Sequence, residues 1–562
     1  MLVAVLALAG APSAAPNATA EEPQVTRDLR VMMSDGVALE VKVGGRGPLV
    51  DGGLPARPVI VEFSPYAPGC CFEAAGPDHN YLQVHIRGTG LSDGSFDALG
   101  PRSQLDVVEV LAWTCAQSWS NGRSGLLGFS ASAIVVYNSL HLDLPCVDAA
   151  VLGSGTYELY RDLLYPGVVS NGLPALGVFG LIGAPLTLAL PDRLGRDPLS
   201  LAPVALGMGQ VAVDYRAHPT LDAYWQERGF RGDVNNLPIL MVDGFFDVES
   251  RGAFQAFQAL RDDGAHLLVT GAHDGVPAGS GGSDRQRAAW FDRYLRDMDT
   301  GIDREAPVQL LLAHGDREDM LAGDFVRTSA ADWPVPGTTW VPLHLGAATS
   351  GTARSINDGT LTLEPGQPAT QSYPAIPSLP SATDPYNSAI VGFNYAPFTD
   401  MTFAEPLGLS YTTGPFAAPV QSVGPASVEL VLSSTAPETD IYAVLSDVGP
   451  DGTAHPMAAG RLKSSYPGID LAQSLVDDQG NIVQPYGIYD VRDPANVGEE
   501  RRYHVELWPI GNQFEAGHRL RLHVIGVSGA SQPGVPAINT IRLGEGASRL
   551  LFPVISGSLQ TR

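Results

Sequence analysis

Lysine is almost absent from this sequence of 562 residues, in which only Lys42 and Lys463 occur, so arginine supplies nearly all of the positive charge. The 34 basic residues are outnumbered by 60 acidic residues, which gives a net charge of −26. A nucleic acid is itself a polyanion and would be repelled by such a protein. The composition therefore excludes nucleic acid as an expected partner.

The patterns of membrane and metal sites are also missing. No apolar run reaches the roughly 18 residues that a membrane-spanning helix needs, so no membrane span is predicted. The 12 histidines and 4 cysteines form neither an H-E-x-x-H motif nor a Cys-x-x-Cys pair. No glycine-rich fingerprint of a nucleotide site opens a helix after a strand. We expect neither a metal nor another cofactor.

The first twenty residues read as a targeting segment. A short apolar run at 2–9 is followed by small residues at 11–20 and then by Glu21 and Glu22. This order is typical of a secretory signal peptide cleaved after Ala20, although a basic region before the apolar run is missing. The sequence predicts a signal peptide over 1–20 and a secreted mature protein. A disordered apolar N-terminus is the alternative.

Two kinds of pattern divide the rest of the chain. Over 21–325, buried β-branched runs such as 58–63, 124–129 and 238–242 alternate with helical segments such as 104–117. This alternation predicts an α/β domain with a mostly parallel sheet. A helical stretch at about 155–236, rich in Gly, Pro and Leu, interrupts it and is predicted to form a cap.

The C-terminal part, 326–562, has a different composition. It is dense in Pro, Gly, Ser and Thr up to about residue 430, and short β-rich runs separated by turns follow. Short strands with turn signals predict an all-β sandwich. With 562 residues the chain is long enough for two such domains.

One short motif carries the first chemical signal. Gly128-Phe-Ser130-Ala-Ser132 lies where a strand gives way to a helix. A serine on a sharp strand-to-helix turn, with small residues two positions before and after it, is the pattern of a nucleophile elbow. The same small residues also occur where a helix packs tightly on a sheet, so the motif alone leaves both readings open.

A nucleophilic serine needs a base and an acid, and in this fold they follow it in the order acid, then histidine. Asp247 and His273 follow two successive downstream strands, where a parallel sheet collects its functional groups. Their rivals are Asp243, which precedes the turn, and His266, which opens its strand at the far edge. His314 also ends a strand and is a weaker alternative base.

Several stretches together resemble one family, the cocaine-esterase and X-prolyl dipeptidyl-peptidase-like serine hydrolases, known as the CocE/NonD hydrolases. The similarity extends from about residue 25 to residue 555. The stretches that carry it are Ser64-Pro-Tyr66, 87–97 (RGTGLSDGSFD), 119–130 (WSNGRSGLLGFS), 218–225 (HPTLDAYW), 244–247 (GFFD), 290–295 (WFDRYL), 435–442 (TAPETDIY) and 514–522 (FEAGHRLRL).

The resemblance implies an α/β-hydrolase domain with an inserted helical cap, followed by an all-β jelly-roll domain of the X-Pro dipeptidyl-peptidase type. It assigns Ser130 as nucleophile, Asp247 as orienting acid and His273 as base. The hydroxyl of Tyr66 and the backbone N–H of Ala131 would form the oxyanion hole, a device that suits acyl transfer. Without the resemblance, a tyrosine packed after a strand would be the simpler reading of Tyr66.

The chain departs from the family pattern near these residues. The family commonly has Tyr and Gly at the two positions after the nucleophile, where this chain has Ala131 and Ser132. It also commonly has Pro-Trp-x-His before the base, where this chain has Gly-Ala-His273. The substrate preference of the family therefore transfers poorly. Arg87 and Asp106 are interpreted as a structural charge pair.

The sequence predicts a serine hydrolase that cleaves ester or amide bonds, including X-Pro dipeptidyl bonds, through an acyl-enzyme. The expected partner is a small ester, amide or short peptide. An exopeptidase must bind a free α-amino group, and Glu158, Asp162 and Asp222 are candidate carboxylates for it. The alternative function is a catalytically silent surface protein that binds carbohydrate or cell wall through the β domain.

The four cysteines suggest disulfides, since an even count in a secreted chain favours bridges. Cys70 and Cys71 follow a strand and belong to the carboxyl end of the sheet. Cys115 and Cys146 precede strands and belong to the opposite end, too far for cross-pairing. We predict a Cys115–Cys146 bridge, with Cys70 and Cys71 as a vicinal bridge or two thiols. Four reduced cysteines are the alternative.

Overall fold

The computed structural model describes residues 24–45, 53–66, 78–171, 189–196, 198–231, 236–271, 283–315, 319, 322–376, 400–526 and 535–559. The predicted signal peptide and Cys70 and Cys71 lie outside the described residues. So does His273. In the described part, no helix is both long and apolar enough to cross a membrane.

The first domain is built on a single large sheet. Its described strands are β1 (Gln24–Met32), β2 (Ala38–Gly45), β3 (Arg57–Ser64), β4 (Asn80–His85), β5 (Ser120–Phe129), β6 (Val147–Gly153), β7 (Ile239–Gly244), β8 (His266–Thr270), β9 (Val308–His314) and β10 (Val326–Ala330). Strands β3 to β9 pair in parallel in the order β4-β3-β5-β6-β7-β8-β9. Antiparallel β1, β2 and β10 extend the two edges. The parallel α/β sheet expected from the alternating pattern is present.

Helices connect the parallel strands and cover both faces of the sheet. In the described residues they are α1 (Pro101–Cys115), α2 (Ala131–Ser139), α3 (Leu190–Arg196), α4 (Leu201–Ala217), α5 (Ala223–Gln226), α6 (Ser250–Leu260) and α7 (Ser283–Arg296). Shorter turns are a π-helix at Tyr160–Leu164 and 3₁₀ segments at Pro166–Val168, Pro198–Ser200, Arg261–Asp263, Ile302–Arg304, Met401–Phe403 and Glu405–Leu407. Helix α1 begins three residues before the predicted start, because Pro101 suits the first helical turn. The π-helix and α3 to α5 fall within the predicted cap.

In the described residues the second domain consists of strands and the last two of these 3₁₀ turns. Its described strands are β11 (Thr339–Gly346), β12 (Asn357–Thr362), β13 (Ala369–Ala375), β14 (Gly408–Thr412), β15 (Val420–Ser434), β16 (Asp440–Val448), β17 (Ala454–Lys463), β18 (Leu475–Val476), β19 (Ile482–Gln484), β20 (Arg501–Phe514), β21 (Arg519–Ile525), β22 (Ala537–Leu543) and β23 (Arg549–Val554). One layer contains β11-β23-β15-β20, and another contains β14-β21-β16-β17. The expected all-β C-terminal domain is therefore present.

The two domains are joined through strand β20. Asn512 and Gln513 of β20 pair in parallel with Ala313 and His314 at the end of β9. Phe245, just after β7, lies so close to Gly511 that a Cβ on that glycine would come within 2.2 Å of the ring. The second domain thus contacts the first beside the carboxyl ends of its strands.

The predicted disulfide is confirmed. Cys115 at the end of α1 and Cys146 at the start of β6 form a bridge with a Cα–Cα distance of 6.3 Å. Both residues lie at the amino end of the parallel sheet, as the alternation of strands and helices requires. Arg87 and Asp106 form the expected buried pair, with Arg87 Nε 2.6 Å from Asp106 Oδ2 and Arg87 Nη2 2.7 Å from Asp106 Oδ1.

Candidate active site

Ser130 occupies a sharp turn between β5 and α2. Its backbone has φ 53° and ψ −124°, a conformation that an L-residue adopts only when its surroundings hold it there. The N–H of Ser130 donates to the carbonyl of Gly153 at 2.9 Å, which ties the turn to β6. A Cβ on Gly128 would lie 2.5 Å from the Cα of Ala133, so the turn requires a glycine there. This is the geometry that the motif predicts for a nucleophile elbow.

Ser132 stands where the usual motif has glycine, and its hydroxyl is turned into the protein. It accepts the N–H of Phe129 at 2.7 Å and donates to the carbonyl of Phe129 at 2.8 Å. Its Oγ also lies 3.4 Å from Oε1 of Glu62. The side chain is fully buried. Ser132 therefore stabilises the turn, and Ser130 is the serine at its apex.

A buried glutamate lies beneath this turn. Glu62 on β3 has no exposed surface and accepts hydrogen bonds from the Tyr81 hydroxyl and from Gln83 Nε2. Glu62, Tyr81, Gln83 and Ser132 thus form a buried cluster of polar side chains. It could not be predicted from the sequence, because a single Glu in the apolar run of β3 carries no recognisable motif.

Tyr66 and Ala131 come together beside the elbow. The N–H of Ala131 donates to Oη of Tyr66 at 3.1 Å, and the Tyr66 ring is half-buried against the core. Since the two groups are in contact, an oxygen entering between them could accept from both. Ala131 also opens α2, whose aligned peptide dipoles favour negative charge at this end. The arrangement fits an oxyanion hole.

Asp247 lies in the turn between β7 and α6. Its side chain is buried, and its Oδ1 accepts the backbone N–H of Glu249 at 3.1 Å. The neighbouring Phe246 donates its N–H to the carbonyl of Gly271 at 3.0 Å. That bond holds the chain two residues before His273 against the turn that carries Asp247. The position of the His273 ring lies outside the described residues.

The rival residues have other surroundings. Asp243 is fully buried and accepts the N–H of Gly244 at 2.7 Å, and burial, then the nearby charge of Asp247, raises its pKa well above the usual range. His266 stacks edge-on against Trp290, 5.0 Å away, at the amino end of β8. His266 is therefore held by ring packing and Asp243 by its bond from Gly244, while Oδ2 of Asp243 has no hydrogen-bond partner among the described residues.

His314, the weaker alternative base, contacts two carboxylates that are not part of the candidate site. Its Nε2 lies 3.4 Å from Asp324 Oδ1 and its Nδ1 lies 3.8 Å from Glu515 Oε1. Strand β9, which it ends, is separated from β7 by β8. His314 therefore faces the junction of the two domains, where its charged neighbours are Asp324 and Glu515.

The three carboxylates considered for an α-amino group already have basic partners. Asp162 lies 2.6 Å from Arg251 Nη1, and Glu158 lies 3.3 Å from the same nitrogen. Asp222 caps α5 and lies 2.6 Å from His218 Nδ1. Although burial opposes it, the positive charge of Arg161 and then Arg251 lowers the pKa of Glu158.

Glu249 is the carboxylate that the sequence analysis missed. It is 2 % exposed, and its Oε2 has no hydrogen-bond partner among the described residues. Burial, and after it the charge of Asp247, raises the pKa of Glu249 well above the usual range. Its position two residues after the predicted acid was the available signal.

Arg251 links this region to the second domain. It is buried on α6, one turn after Asp247, and its Nε lies 2.9 Å from Oε1 of Glu506 on β20. It also contacts Asp162 and Glu158 of the cap region. Although burial disfavours its charge, Glu506, Asp162 and Glu158 raise the pKa of Arg251 well above the usual range. Through Arg251, helix α6 is thus bonded both to the second domain and to the cap region.

Two family models match this chain. Residues 35–275 match X-Pro dipeptidyl-peptidase (S15 family), and residues 300–543 match the X-Pro dipeptidyl-peptidase C-terminal non-catalytic domain. The first match contains Tyr66, Ser130, Asp247 and His273. The second contains most of the all-β domain. Between them the two models cover most of the chain.

The chain is also similar to individual proteins of known sequence or structure. The chain is 25% identical to the cocaine esterase of a Rhodococcus species over 89% of its own length and 90% of that protein. A crystal structure of a CocE/NonD family hydrolase from Staphylococcus aureus superposes with a TM-score of 0.74 at 18% identity, covering 94% of each chain. An α-amino acid ester hydrolase superposes with a TM-score of 0.69 at 18% identity, covering 98% of this chain and 99% of that one.

Proposed function

Because this chain belongs to the CocE/NonD family of serine hydrolases, whose members include X-Pro dipeptidyl-peptidases and cocaine esterase, we propose that it forms an acyl-enzyme on Ser130. The observation that carries the proposal is the elbow itself. Ser130 is held at φ 53° directly before the Ala131 N–H, which lies 3.1 Å from the Tyr66 hydroxyl oxygen. This arrangement supports the proposal that Ser130 is the nucleophile and that Tyr66 and the Ala131 N–H are the two hydrogen-bond donors.

The proposed reaction has two steps. His273 takes the proton of the Ser130 hydroxyl as its oxygen attacks the substrate carbonyl, and Asp247 orients the imidazole. Tyr66 and the Ala131 N–H stabilise the oxyanion until the alcohol or amine departs with the proton from His273. Water, deprotonated by the same base, then releases the acid and restores the serine.

We propose further that the acyl part of the substrate carries a free α-amino group. Glu249 supports this, because it is a buried carboxyl with no hydrogen-bond partner for Oε2 in the described part, two residues from Asp247. A buried charge needs a partner, and an ammonium group would provide one. Amino-acid esters and X-Pro peptides both present that group, as the names of the S15 family and of the α-amino acid ester hydrolase indicate.

The reaction type is tested by active-site labelling. A fluorophosphonate probe should label the wild-type protein at Ser130, and Ser130→Ala should abolish both labelling and turnover. Ser132→Ala is the matched control, because its hydroxyl is bonded to Phe129, and it should retain labelling. Labelling that survives in Ser130→Ala, or that is lost only in Ser132→Ala, would refute the assignment. A protein inactive towards every ester and anilide would instead be the silent binding protein.

The substrate class is tested by comparing an alanine p-nitrophenyl ester with its N-acetylated form, and Ala-Pro p-nitroanilide with its N-acetylated form. Wild type should prefer the free amines. Glu249→Gln should raise KM for the free amines about tenfold or more and leave the acetylated esters nearly unchanged, since a hydrogen bond to a charged group is worth about 1.5–3 kcal/mol. Equal KM effects on both forms would contradict an ion pair.

The same comparison predicts a pH dependence. The pKa of Glu249 is raised, so its carboxyl is neutral at low pH and becomes charged as the pH rises. The KM of the free-amine ester should therefore fall with rising pH, until the amine itself loses its proton near about 8. The acetylated ester should show no such fall in KM. A parallel fall for both esters would contradict the role of Glu249.

We also propose that the mature protein is secreted, which rests on the sequence of residues 1–20. N-terminal sequencing of protein recovered from the culture medium should begin after Ala20. An intact N-terminus on cell-retained protein would overturn this proposal.

A further inference from the structure

A cavity of about 550 Å³ lies at the junction of the two domains, behind the helix that follows Asp247. One wall is α6, a second is formed by residues 472–475 and 484–486 of the β domain, and a third by Tyr157 and Phe230. Its volume is within the range of small-molecule sites, about 300–1,000 Å³. Neither Ser130 nor Tyr66 lines it.

The wall formed by α6 is one face of that helix, which carries three polar side chains and one alanine. Arg251, Gln255, Gln258 and Ala259 line the cavity, at spacings of four, seven and eight residues that place them on one side of a helix. Gln255 and Gln258 are half-buried. Neither has a hydrogen bond to another described residue. Each amide can donate two and accept two hydrogen bonds, so this face is equipped for a polar ligand.

The charged side chains that line the cavity are already paired with charges of opposite sign. Glu158 and Glu506 contribute two negative charges, and Arg251 and Arg261 contribute two positive charges. Arg251 already bonds both carboxylates, which leaves carboxylate oxygens able to accept further hydrogen bonds. Arg261 bonds Asp332, so each of the four lining charges has a partner, and the wall favours a neutral ligand that hydrogen-bonds over a free ion.

Aromatic rings complete the lining. Tyr157 and Phe230 stack with ring centroids 4.8 Å apart and an angle of 29° between the planes. Tyr486 lies on the opposite wall and donates its hydroxyl to Glu158 Oε1 at 2.8 Å. The Arg161 guanidinium lies over the Tyr486 ring, 3.9 Å from its centroid, so each of the three rings already has a neighbour on one face. Ring surface that still lines the cavity beside amides and carboxylates matches a sugar, which has apolar C–H faces and a rim of hydroxyls.

We propose that this cavity is a second binding site, separate from the acyl-transfer centre, for a neutral carbohydrate of one or two rings. Gln255, Gln258 and the oriented carboxylates bond the hydroxyls, and Tyr157 packs against a ring face. The site is separate from the proposed hydrolysis, because none of Ser130, Tyr66, Asp247 and Glu249 lines it.

Calorimetric titration of the full-length protein tests the site. The probes are maltose, cellobiose and N,N′-diacetylchitobiose as neutral disaccharides, with glucuronate and spermidine as charged comparisons. At least one neutral disaccharide should bind, and the charged probes should bind more weakly. If none of the three disaccharides binds, or if a charged probe binds more tightly, the proposal is overturned.

Variants locate the binding. The double variant Gln255→Leu/Gln258→Leu should weaken binding at least tenfold, because two hydrogen-bonding amides are lost. Tyr157→Leu should weaken it independently by removing a ring face. Gln210→Leu on α4 is the matched control, a helical glutamine outside the cavity, and should bind as wild type does. Hydrolysis of a short p-nitrophenyl ester should be unchanged in the double variant, which shows that the protein has folded. Unchanged sugar affinity in both the double variant and Tyr157→Leu would refute the site.

Discussion

Replacing Tyr66 by phenylalanine separates transition-state stabilisation from substrate binding. The change removes one oxygen from a half-buried ring and leaves the ring in place. In the structure that oxygen lies 3.1 Å from the Ala131 nitrogen. Of the two proposed donors to the oxyanion, the variant loses the Tyr66 hydroxyl and keeps the Ala131 N–H. Loss of a single donor of this kind typically lowers kcat by about 10²–10³, or about 2.7–4 kcal/mol. KM should change little, because the hydroxyl acts mainly on the transition state.

The assay is steady-state hydrolysis of an alanine p-nitrophenyl ester by wild type and Tyr66→Phe. Tyr294→Phe on α7 is the control, since it removes a hydroxyl from a ring that packs on Trp290, away from the elbow. Thermal unfolding is measured alongside, because the lost bond from Ala131 should cost no more than about 1 kcal/mol of stability. A rise in KM with unchanged kcat would make Tyr66 a substrate contact. An unchanged kcat and KM would remove it from the site.

Three further predictions concern the acid, the base and the disulfide. Asp247→Asn should lower kcat by about 10⁴ without unfolding the protein, and a smaller loss than tenfold would contradict an orienting acid. Activity should rise with pH through an apparent pKa near about 6.5 as His273 loses its proton, and if His314→Ala rather than His273→Ala removed this rise, the base would be wrongly assigned. Replacing both Cys115 and Cys146 by serine should lower the free energy of unfolding in urea by roughly 3–4 kcal/mol, since the bridge closes a separation of 31 residues, and an unchanged unfolding midpoint would contradict that estimate.

Much of the architecture followed from the sequence because its signals are local. Alternating buried strands and helices predicted the parallel sheet. An apolar β-branched run such as 58–63 is typical of a strand that is buried on both faces of such a sheet. The same alternation fixes which end of the sheet each loop occupies. That is why the pairing of Cys115 with Cys146 could be predicted without coordinates. The change to short strands after residue 325 predicted the second domain for the same reason.

Only part of the proposed site could be predicted from the sequence. The sequence proposed Ser130 and Asp247 from motifs at strand ends, and the resemblance added Tyr66. The motif alone left open a nucleophile elbow or small residues where a helix packs tightly on a sheet. The tertiary structure favours the elbow, because the backbone of Ser130 is held at φ 53° while the hydroxyl of Ser132 is bonded to Phe129. These contacts depend on where β5, β6 and α2 meet.

Only the folded chain decided which carboxylates are neutralised. The sequence does not distinguish the carboxylates of Glu158, Asp162 and Glu249. In the folded chain Arg251 contacts the first two, whereas Oε2 of Glu249 is buried with no hydrogen-bond partner among the described residues. Arg251 is also held by Glu506, which is 255 residues away in sequence. The sequence by itself determined the elements and their order, because backbone preference and burial act over a few residues. The pairing of buried charges, and the cavity beside them, arises between distant segments, so it was decided by the tertiary structure alone.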